Sequence, residues 1–297
     1  MKCLFIYNPE SGKGKVKKKL KFIEKKLKTV YDTVDIHESQ SGTNISDIIE
    51  EIGERYDSIV FSGGDGTFNH VCQGVCKLEK RPTLGFIPTG TANDNARNLK
   101  IPRNIRRSLK VILGQRILMH DVGMVNGNRY FMYVCALGAC SGTPYTTRQQ
   151  AKKILGRLAY IQNGLDEFFS PIVNTIRIKC NGETIITKCP LMLIMNTITV
   201  GGIPFNRYGH LNDGLFDVVL VNDGYGYGRF NILKYFIRGI FGFRKKKNAV
   251  CTRSDHIEIE INDGLTWDLD GERGPIGNIT IDCLKGYLPI FVPKHRI

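Results

Sequence analysis

The sequence predicts an α/β + β architecture: a parallel sheet with crossover helices over residues 1–121, then an antiparallel β-domain over residues 122–287. Three observations carry this. The chain has 297 residues, enough for about two domains at roughly 150 residues each. Buried-looking apolar runs alternate with amphipathic runs up to Asp121, the pattern of strands and helices in a parallel sheet. Beyond Asp121, short alternating runs punctuated by Gly and Asn take over, as in antiparallel sheets. The composition of 42% hydrophobic, 9% aromatic and 24% charged residues excludes disordered, collagen-like and coiled-coil chains.

The elements of the first domain follow in order. KCLFIY reads as a buried strand, Val16–Lys28 as a helix and Thr33–His37 as a strand. Ile45–Glu54 reads as a helix, Ser58–Ser62 as a strand, Thr67–Cys76 as a helix and Thr83–Ile87 as a strand, with a short helix from Ala92. In the second domain the strand runs are DVGMVNG, RYFMYVC, NTIRIKCNG, CPLMLIMN, LFDVVLVN, SDHIEIEIND, LTWDLDG and NITIDC. Helices interrupt them near Gln149–Phe169 and in the basic aromatic stretch 229–247. The tail 288–297 is expected to return to the first domain.

No apolar run reaches the ~18–20 residues that span a bilayer, and the N-terminus lacks the pattern of a secretory signal. The nine cysteines are dispersed without a CxxC pair. Most lie in apolar surroundings and read as small hydrophobes, in a reducing cytoplasm with neither a disulfide framework nor a zinc site. Cys72 and Cys76, at helical spacing, read as core packing.

The formal charge of +14 is uneven. Residues 1–30 hold ten Lys against Glu10 and Glu24, a net +8, and residues 229–247 hold seven bases and no acid. The remainder sums to −1. Such segments point to an anionic partner: nucleic acid, a membrane surface or a phosphorylated ligand. In the first segment Val16, Leu20, Ile23 and Leu27 form an apolar stripe with the lysines off it, which also fits a solvated helix face. In the second, aromatics beside clustered bases suit an interfacial helix on anionic lipid, or an amphipathic helix packed on a core.

Chemistry concentrates in loops at the carboxyl ends of strands, where ligands sit in open α/β sheets. Ser62-Gly63-Gly64-Asp65-Gly66-Thr67 follows a strand and opens a helix. Its glycines let bare N–H groups approach a ligand, and the helix start favours anions. It matches neither GxxxxGK[ST] nor GxGxxG. Asn8-Pro9-Glu10-Ser11-Gly12-Lys13-Gly14 and Pro88-Thr89-Gly90-Thr91-Ala92-Asn93-Asp94 lie at two further strand ends, with Thr91 a candidate helix cap. Trp267-Asp268-Leu269-Asp270-Gly271-Glu272 places three carboxylates in one turn, which could bind a divalent metal or act as a base, or be a solvated turn. The turn His210–Asp217 could hold a hard cation, or be an Asp-Gly turn entering a strand.

NPESG, GGDGTFN, PTGTANDNAR, LNDGLFD and DLDGE, in this order, resemble the diacylglycerol kinase catalytic family, most closely its bacterial soluble lipid kinases of the diacylglycerol and YegS-like type. GGDGT is shared with NAD kinases and ATP-dependent phosphofructokinases; the GTxNDxAR loop and the late DGE narrow the likeness to lipid kinases.

The resemblance implies a Rossmann-like first domain, a C-terminal β-sandwich, and phosphoryl transfer from ATP, with Mg²⁺, to a lipid hydroxyl across a cleft between the two. Asn8, Pro9, Glu10, Ser11 and Gly12, with Gly63, Gly64, Asp65, Gly66, Thr67, Asn69 and Thr91, would bind ATP, and Glu38 falls at a nucleotide-contacting position. Asp65 would help hold the catalytic Mg²⁺, linked in a charged network with Asp94 and Asp121. Glu272 matches the general base. Asp213, with the carbonyls of His210 and Leu215, matches a structural Mg²⁺ site. His70 and Asn95 depart from the family pattern, where Glu and Phe are usual, beside the nucleotide loops.

The expected acceptor is diacylglycerol, giving phosphatidic acid; phosphatidylglycerol, a sphingoid base, or NAD in an NAD kinase-like enzyme are the alternatives. The expected setting is cytoplasmic and peripheral to an anionic membrane, without nucleic acid, and a homodimer is compatible with the sequence.

Overall fold

The computed structural model describes residues 1–9, 12, 14–39, 44–138, 174–200, 206, 209–222, 249–261 and 264–294. The helix expected near Gln149–Phe169 and the basic aromatic stretch 229–247 lie outside them. The chain divides into two units, Met1–Val122 with Lys285–Ile297, and Gly123–Leu284.

In the first unit, β1 (Lys2–Tyr7), β3 (Ser58–Gly63) and β4 (Thr83–Pro88) are almost wholly buried, as strands covered on both faces must be. β2 (Thr33–Glu38) lies at the edge and is mostly exposed. The four run parallel in the order β2-β1-β3-β4. The crossover helices are α1 (Leu20–Leu27), preceded by a 3₁₀ turn at Lys17–Lys19, α2 (Ile45–Ile52), continued by a 3₁₀ turn at Gly53–Arg55, and α3 (Asp65–Cys76).

Two further helices follow, α4 (Asp94–Asn98) and α5 (Ile105–Leu113). Val16, Ile23 and Leu27 join Phe5, Tyr7, Val60 and Ile87 with Ile105, Leu109 and Ile112 of α5 in one core. Elsewhere Phe68 of α3 packs edge-on to Phe61 and Phe86, with centroids 5.5 and 5.0 Å apart. Cys72 and Cys76 belong to the buried side of α3, and burial pushes the Cys76 thiol up to about 12.

Three local differences from the sequence reading have physical reasons. α3 starts at Asp65 rather than Thr67, because Gly64 is its N-cap and Asp65 enters the first turn. The short helix starts at Asp94 rather than Ala92, and its cap is Asn93 rather than Thr91. α5 is an additional element: Asn104 accepts hydrogen bonds from the amides of Arg106 (3.0 Å) and Arg107 (3.3 Å), and Ile105, Leu109 and Ile112 supply its apolar stripe.

The second unit stacks two sheets. Its strands are β5 (Ile117–Val125, entering from the first unit), β6 (Arg129–Phe131), β7 (Val134–Gly138), β8 (Asn174–Cys180), β9 (Glu183–Cys189), β10 (Leu191–Met195), β11 (Phe216–Val221), β12 (Ala249–Ser254), β13 (His256–Glu260), β14 (Thr266–Leu269), β15 (Glu272–Ile276) and β16 (Ile279–Phe291). One sheet runs β12-β11-β10-β7-β14-β15, and the other places β16, β13, β8 and β9 side by side. Ile176, Ile178, Ile257, Ile259 and Ile281 of one sheet meet Met192, Ile194, Val218, Leu220 and Trp267 of the other in a single core. β16 then runs into the first unit, where Ile290 pairs in parallel with Leu84 and Leu288 to Val292 are largely buried.

RYFMYVC reads as one strand but forms two, β6 and β7. The break follows from Asp270: its carboxylate accepts hydrogen bonds from the backbone amides of Met132 (2.8 Å), Tyr133 (2.9 Å) and Val134 (2.9 Å), pulling them out of the ladder. A single hydrogen bond to a charged acceptor contributes about 1.5–3 kcal/mol, and three that share one carboxylate contribute less than three times that, because part-buried amides that lose it regain water. Asp270→Ala is therefore expected to destabilise this unit by about 2–4 kcal/mol, since three part-buried amides lose their acceptor together. The check is a lowered urea midpoint at unchanged m-value; a midpoint equal to wild type would show that the carboxylate is dispensable.

Candidate active site

The strand order of the first unit reverses direction between β1 and β3, and the crevice beyond the carboxyl ends at such a point is where α/β sheets bind ligands. The structure gathers glycine loops there. The Gly63 carbonyl accepts from the amides of Thr89 (2.8 Å) and Gly90 (3.1 Å), fastening the β3 loop to the β4 loop. A Cβ on Gly90 would lie 2.5 Å from the Gly64 α-carbon, so no side chain fits between the two backbones. Gly12, at φ +62°, has its Cβ position 3.0 Å from the Thr89 Cβ, bringing the β1 loop to the same place.

α3 opens directly from this cradle. The amides of Asp65, Gly66 and Thr67 stand in its first turn, where a helix has no acceptors of its own and favours an anion. Such a geometry could accept an anion such as phosphate.

Asp65 is half-buried. Its Oδ1 accepts from the backbone amide of Asn95 (3.1 Å) and from the Asn95 side chain (3.3 Å). No described residue hydrogen-bonds its Oδ2, so that oxygen fits a hard cation held against phosphate. Asp94 pairs with Arg97 at 2.7 Å, and the fully buried Asp121 accepts from the Gly286 amide at 2.7 Å.

The β4 loop is closed by Asn93, which accepts from the Gly90 amide (3.0 Å) and donates to the Gly90 carbonyl (2.6 Å) in a left-handed conformation, φ 52°. That commitment explains why Asn93, and not Thr91, precedes the helix. Arg103 braces the loop from outside, donating to the carbonyls of Gly90 (3.1 Å) and Thr91. Asn93 and Arg103 escape the sequence reading. An Asn after a Gly-Thr turn was the available signal for the first; no local signal marks the second.

Thr91 is exposed and Asn69 buried. Asn8 and Pro9 stand at the β1 strand end, while Glu10 and Ser11 lie outside the described residues. Glu38, at the end of β2, accepts a hydrogen bond from the Tyr7 hydroxyl and lies 3.5 Å from Lys17. The Tyr7 bond, with help from Lys17, holds the Glu38 carboxyl below its usual range. Burial and the Glu38 carboxylate push the Tyr7 hydroxyl up to about 12.

The second unit carries the remaining acids. Asp270 (φ 57°) and Gly271 (φ 85°) join β14 to β15 with two left-handed residues, the signature of a type I′ hairpin that favours Asp-Gly. Asp270 is committed to its three backbone amides, and Asp268 accepts from the Gly271 amide at 2.7 Å. Paired metal binding by this turn is thereby displaced as a reading. Glu272 opens β15, half-buried, and no described residue hydrogen-bonds or ion-pairs with its carboxylate. Among the described residues, then, two of the three carboxylates are held by backbone amides and the third, Glu272, has no such partner.

The turn at 210–217 is arranged differently. Asp213 accepts from the Leu215 amide through Oδ1 (3.2 Å) and from Arg253 through Oδ2. Arg253 Nε also lies 3.1 Å from Asp217 Oδ1. A cation held by Asp213 with the His210 and Leu215 carbonyls does not fit this geometry, since both carboxylate oxygens are engaged and a guanidinium adjoins them.

Glycine loops gathered at the strand ends of a Rossmann-like sheet, with a carboxylate beside them, are an arrangement that could hold a phosphorylated ligand. The "Diacylglycerol kinase catalytic domain" family profile matches residues 2–125. A diacylglycerol kinase of Staphylococcus aureus (strain bovine RF122 / ET3-1) is 30% identical over 296 residues, covering 98% of this chain and 92% of that protein. The diacylglycerol kinase of Bacillus subtilis (strain 168) is 29% identical over 300 residues, covering 98% and 96%. A solved structure of a candidate diacylglycerol kinase from Bacillus anthracis str. Sterne superposes with a TM-score of 0.86 at 26% identity, covering 100% of this chain and 96% of that one.

The chain belongs to the diacylglycerol kinase family of lipid kinases and is a phosphotransferase with an alcohol acceptor. No helix among the described residues is long and apolar enough to cross a membrane.

Asn95 ties α4 to Asp65 through its backbone amide and its side chain. Asn95→Ala is expected to lower kcat about 10–100-fold, the equivalent of one lost hydrogen bond to a charged group. Asn95→Asp, which sets a like charge against Asp65, should fall further. Steady-state kinetics with thermal unfolding alongside checks both; undiminished kcat in the two variants would show that this tie plays no part in turnover.

Proposed function

We propose that this kinase transfers the γ-phosphoryl group of ATP to the hydroxyl of diacylglycerol, giving phosphatidic acid, with Mg²⁺ at the phosphates. The observation that carries the reading is the Glu272 carboxylate, without a hydrogen-bond or ion-pair partner among the described residues, in a turn whose other acids are held by backbone amides, in a chain aligned over nearly its whole length with proteins named diacylglycerol kinases.

Phosphoryl transfer proceeds through a loose transition state, so positioning and charge neutralisation contribute most. The amides of Asp65, Gly66 and Thr67 donate toward phosphate oxygens from a rigid frame, which requires no reorganisation as charge develops. Asp65, steadied by Asn95, would hold Mg²⁺ through its open oxygen. Bound there, the ion would supply neutralisation of the phosphate charge. Carboxylates are too weakly basic to strip an alcohol in the ground state. Glu272 therefore orients the acceptor hydroxyl and takes its proton late, as the new P–O bond forms and ADP leaves.

Glu272→Ala is expected to lower turnover by roughly 10²–10⁴ while nucleotide affinity stays nearly unchanged. Full turnover in that variant would overturn the assignment. The acceptor is tested by transfer of radiolabel from [γ-³²P]ATP to diacylglycerol, phosphatidylglycerol, sphingosine and NAD under identical conditions. Label in phosphatidic acid supports the reading, and label in NADP would replace it with an NAD kinase-like activity.

A lipid acceptor also requires an encounter with an interface. Lys15, Lys17, Lys18, Lys19, Lys21, Lys25, Lys26 and Lys28 are all exposed, while the apolar stripe beside them faces the core. We infer that this face meets anionic headgroups electrostatically, each base contributing about 1 kcal/mol near the surface. Vesicles containing phosphatidylglycerol should pellet more protein than neutral vesicles, and salt should abolish the difference. Equal, negligible binding to both removes the inference.

A further inference from the structure

The Asp213–Arg253 pair belongs to a wider lattice within the second unit. Arg253 on β12 stands directly opposite Asp217 on β11 in the antiparallel register, where cross-strand side chains meet. Its Nε reaches Asp217 Oδ1 at 3.1 Å, and its terminal nitrogen reaches back to Asp213 in the preceding turn. Asp217 Oδ2 accepts from the Asn206 side chain at 2.7 Å, and Asn206 donates to the Thr197 carbonyl at 3.0 Å. The Arg253 carbonyl accepts from Asn181 at 2.7 Å. One guanidinium thus fastens the 210–217 turn, β11 and β12 together, while the Asn206 side chain holds Asp217, the Leu215 backbone amide holds Asp213, and the Asn181 side chain holds the Arg253 carbonyl.

We propose that Arg253 performs at this turn the cross-linking that a bound divalent cation would otherwise perform, so that this part of the second unit folds and stays folded without a metal. The guanidinium is planar and permanently charged, and its donors diverge toward two carboxylates. A cation at Asp213 would have to displace Arg253 and then sit beside that positive charge. Both carboxylates are already engaged in its absence. The metal requirement of the kinase is then confined to the nucleotide site. The inference is independent of the acceptor's identity, because it concerns folding and not turnover.

Thermal unfolding tests it on the intact chain. Wild-type protein in EDTA and in 10 mM magnesium, without nucleotide, is expected to unfold within about 1 °C of the same temperature. Arg253→Gln should unfold several degrees lower, since a change of about 1 kcal/mol moves a chain of this size by roughly 2–4 °C. Asp213→Asn should do the same, and the double variant should fall little further than either single one, because all three lose the same contact. A wild-type protein that loses several degrees in EDTA, regains them with magnesium, and loses that response on Asp213→Asn would overturn the proposal. So would an Arg253→Gln variant as stable as wild type in EDTA. The wild-type comparison needs no variant, so poor folding of Arg253→Gln leaves the proposal open to refutation.

Discussion

The glycine loops at the strand ends of the first unit depend on two backbones meeting without side chains between them. Gly64 and Gly90 approach so closely that a single Cβ on Gly90 would strike the opposite main chain. The Gly63 carbonyl, shared by two amides of the β4 loop, holds that approach. From it follow the start of α3 at Asp65, the amides of the first turn set beside the cradle, and the nearness of α4 through Asn95. Had the β3 loop stood apart from the β4 loop, Asp65 would lack its partner. The glycines therefore do more than allow tight turns; they let neighbouring strand ends become one surface.

In the second unit a comparable constraint acts through charge. Asp270 draws three consecutive amides to itself, which breaks the β6–β7 run and anchors the hairpin from which Glu272 emerges. The aspartates beside the candidate base are the scaffold of its position. Both are satisfied by backbone N–H groups, Asp270 by those of residues 132–134 and Asp268 by that of Gly271.

Much of this was legible in the sequence, for identifiable reasons. The parallel strands were plain because they are buried on both faces and read as unbroken apolar runs. The glycine loops were plain because Gly clustered at strand ends has few other uses. Three things were less legible. α5 carries a charged surface that masks its Ile105–Leu109–Ile112 stripe, although Asn104 marked its start. The hairpin at 269–272 was announced by Asp-Gly, but its sequence left a metal site, a base and a solvated turn all open, because nothing local told that Asp270 reaches the amides of residues 132–134. The Arg253 pairing was invisible, since it joins residues 40 and 36 positions apart along the chain, brought opposite one another only by the β11–β12 register. Long-range charge pairs of this kind leave no periodic trace.

The basic N-terminal helix bears on two readings of one segment: a solvated helix face packed on the core, and a surface for anionic lipid. Its stripe of Val16, Ile23 and Leu27 is spent on the core against β1 and α5, so it has no apolar face left to insert into lipid. Its lysines are nonetheless all on the solvent side. A helix built this way attracts an anionic surface through the field of its charges and releases it as that field is screened, over a Debye length of about 8 Å at physiological salt. Association of that kind is shallow and reversible. It suits an enzyme whose lipid substrate lies in an interface and whose nucleotide arrives from water, since a kinase anchored by insertion would gain residence at the surface without gaining anything at the phosphate cradle.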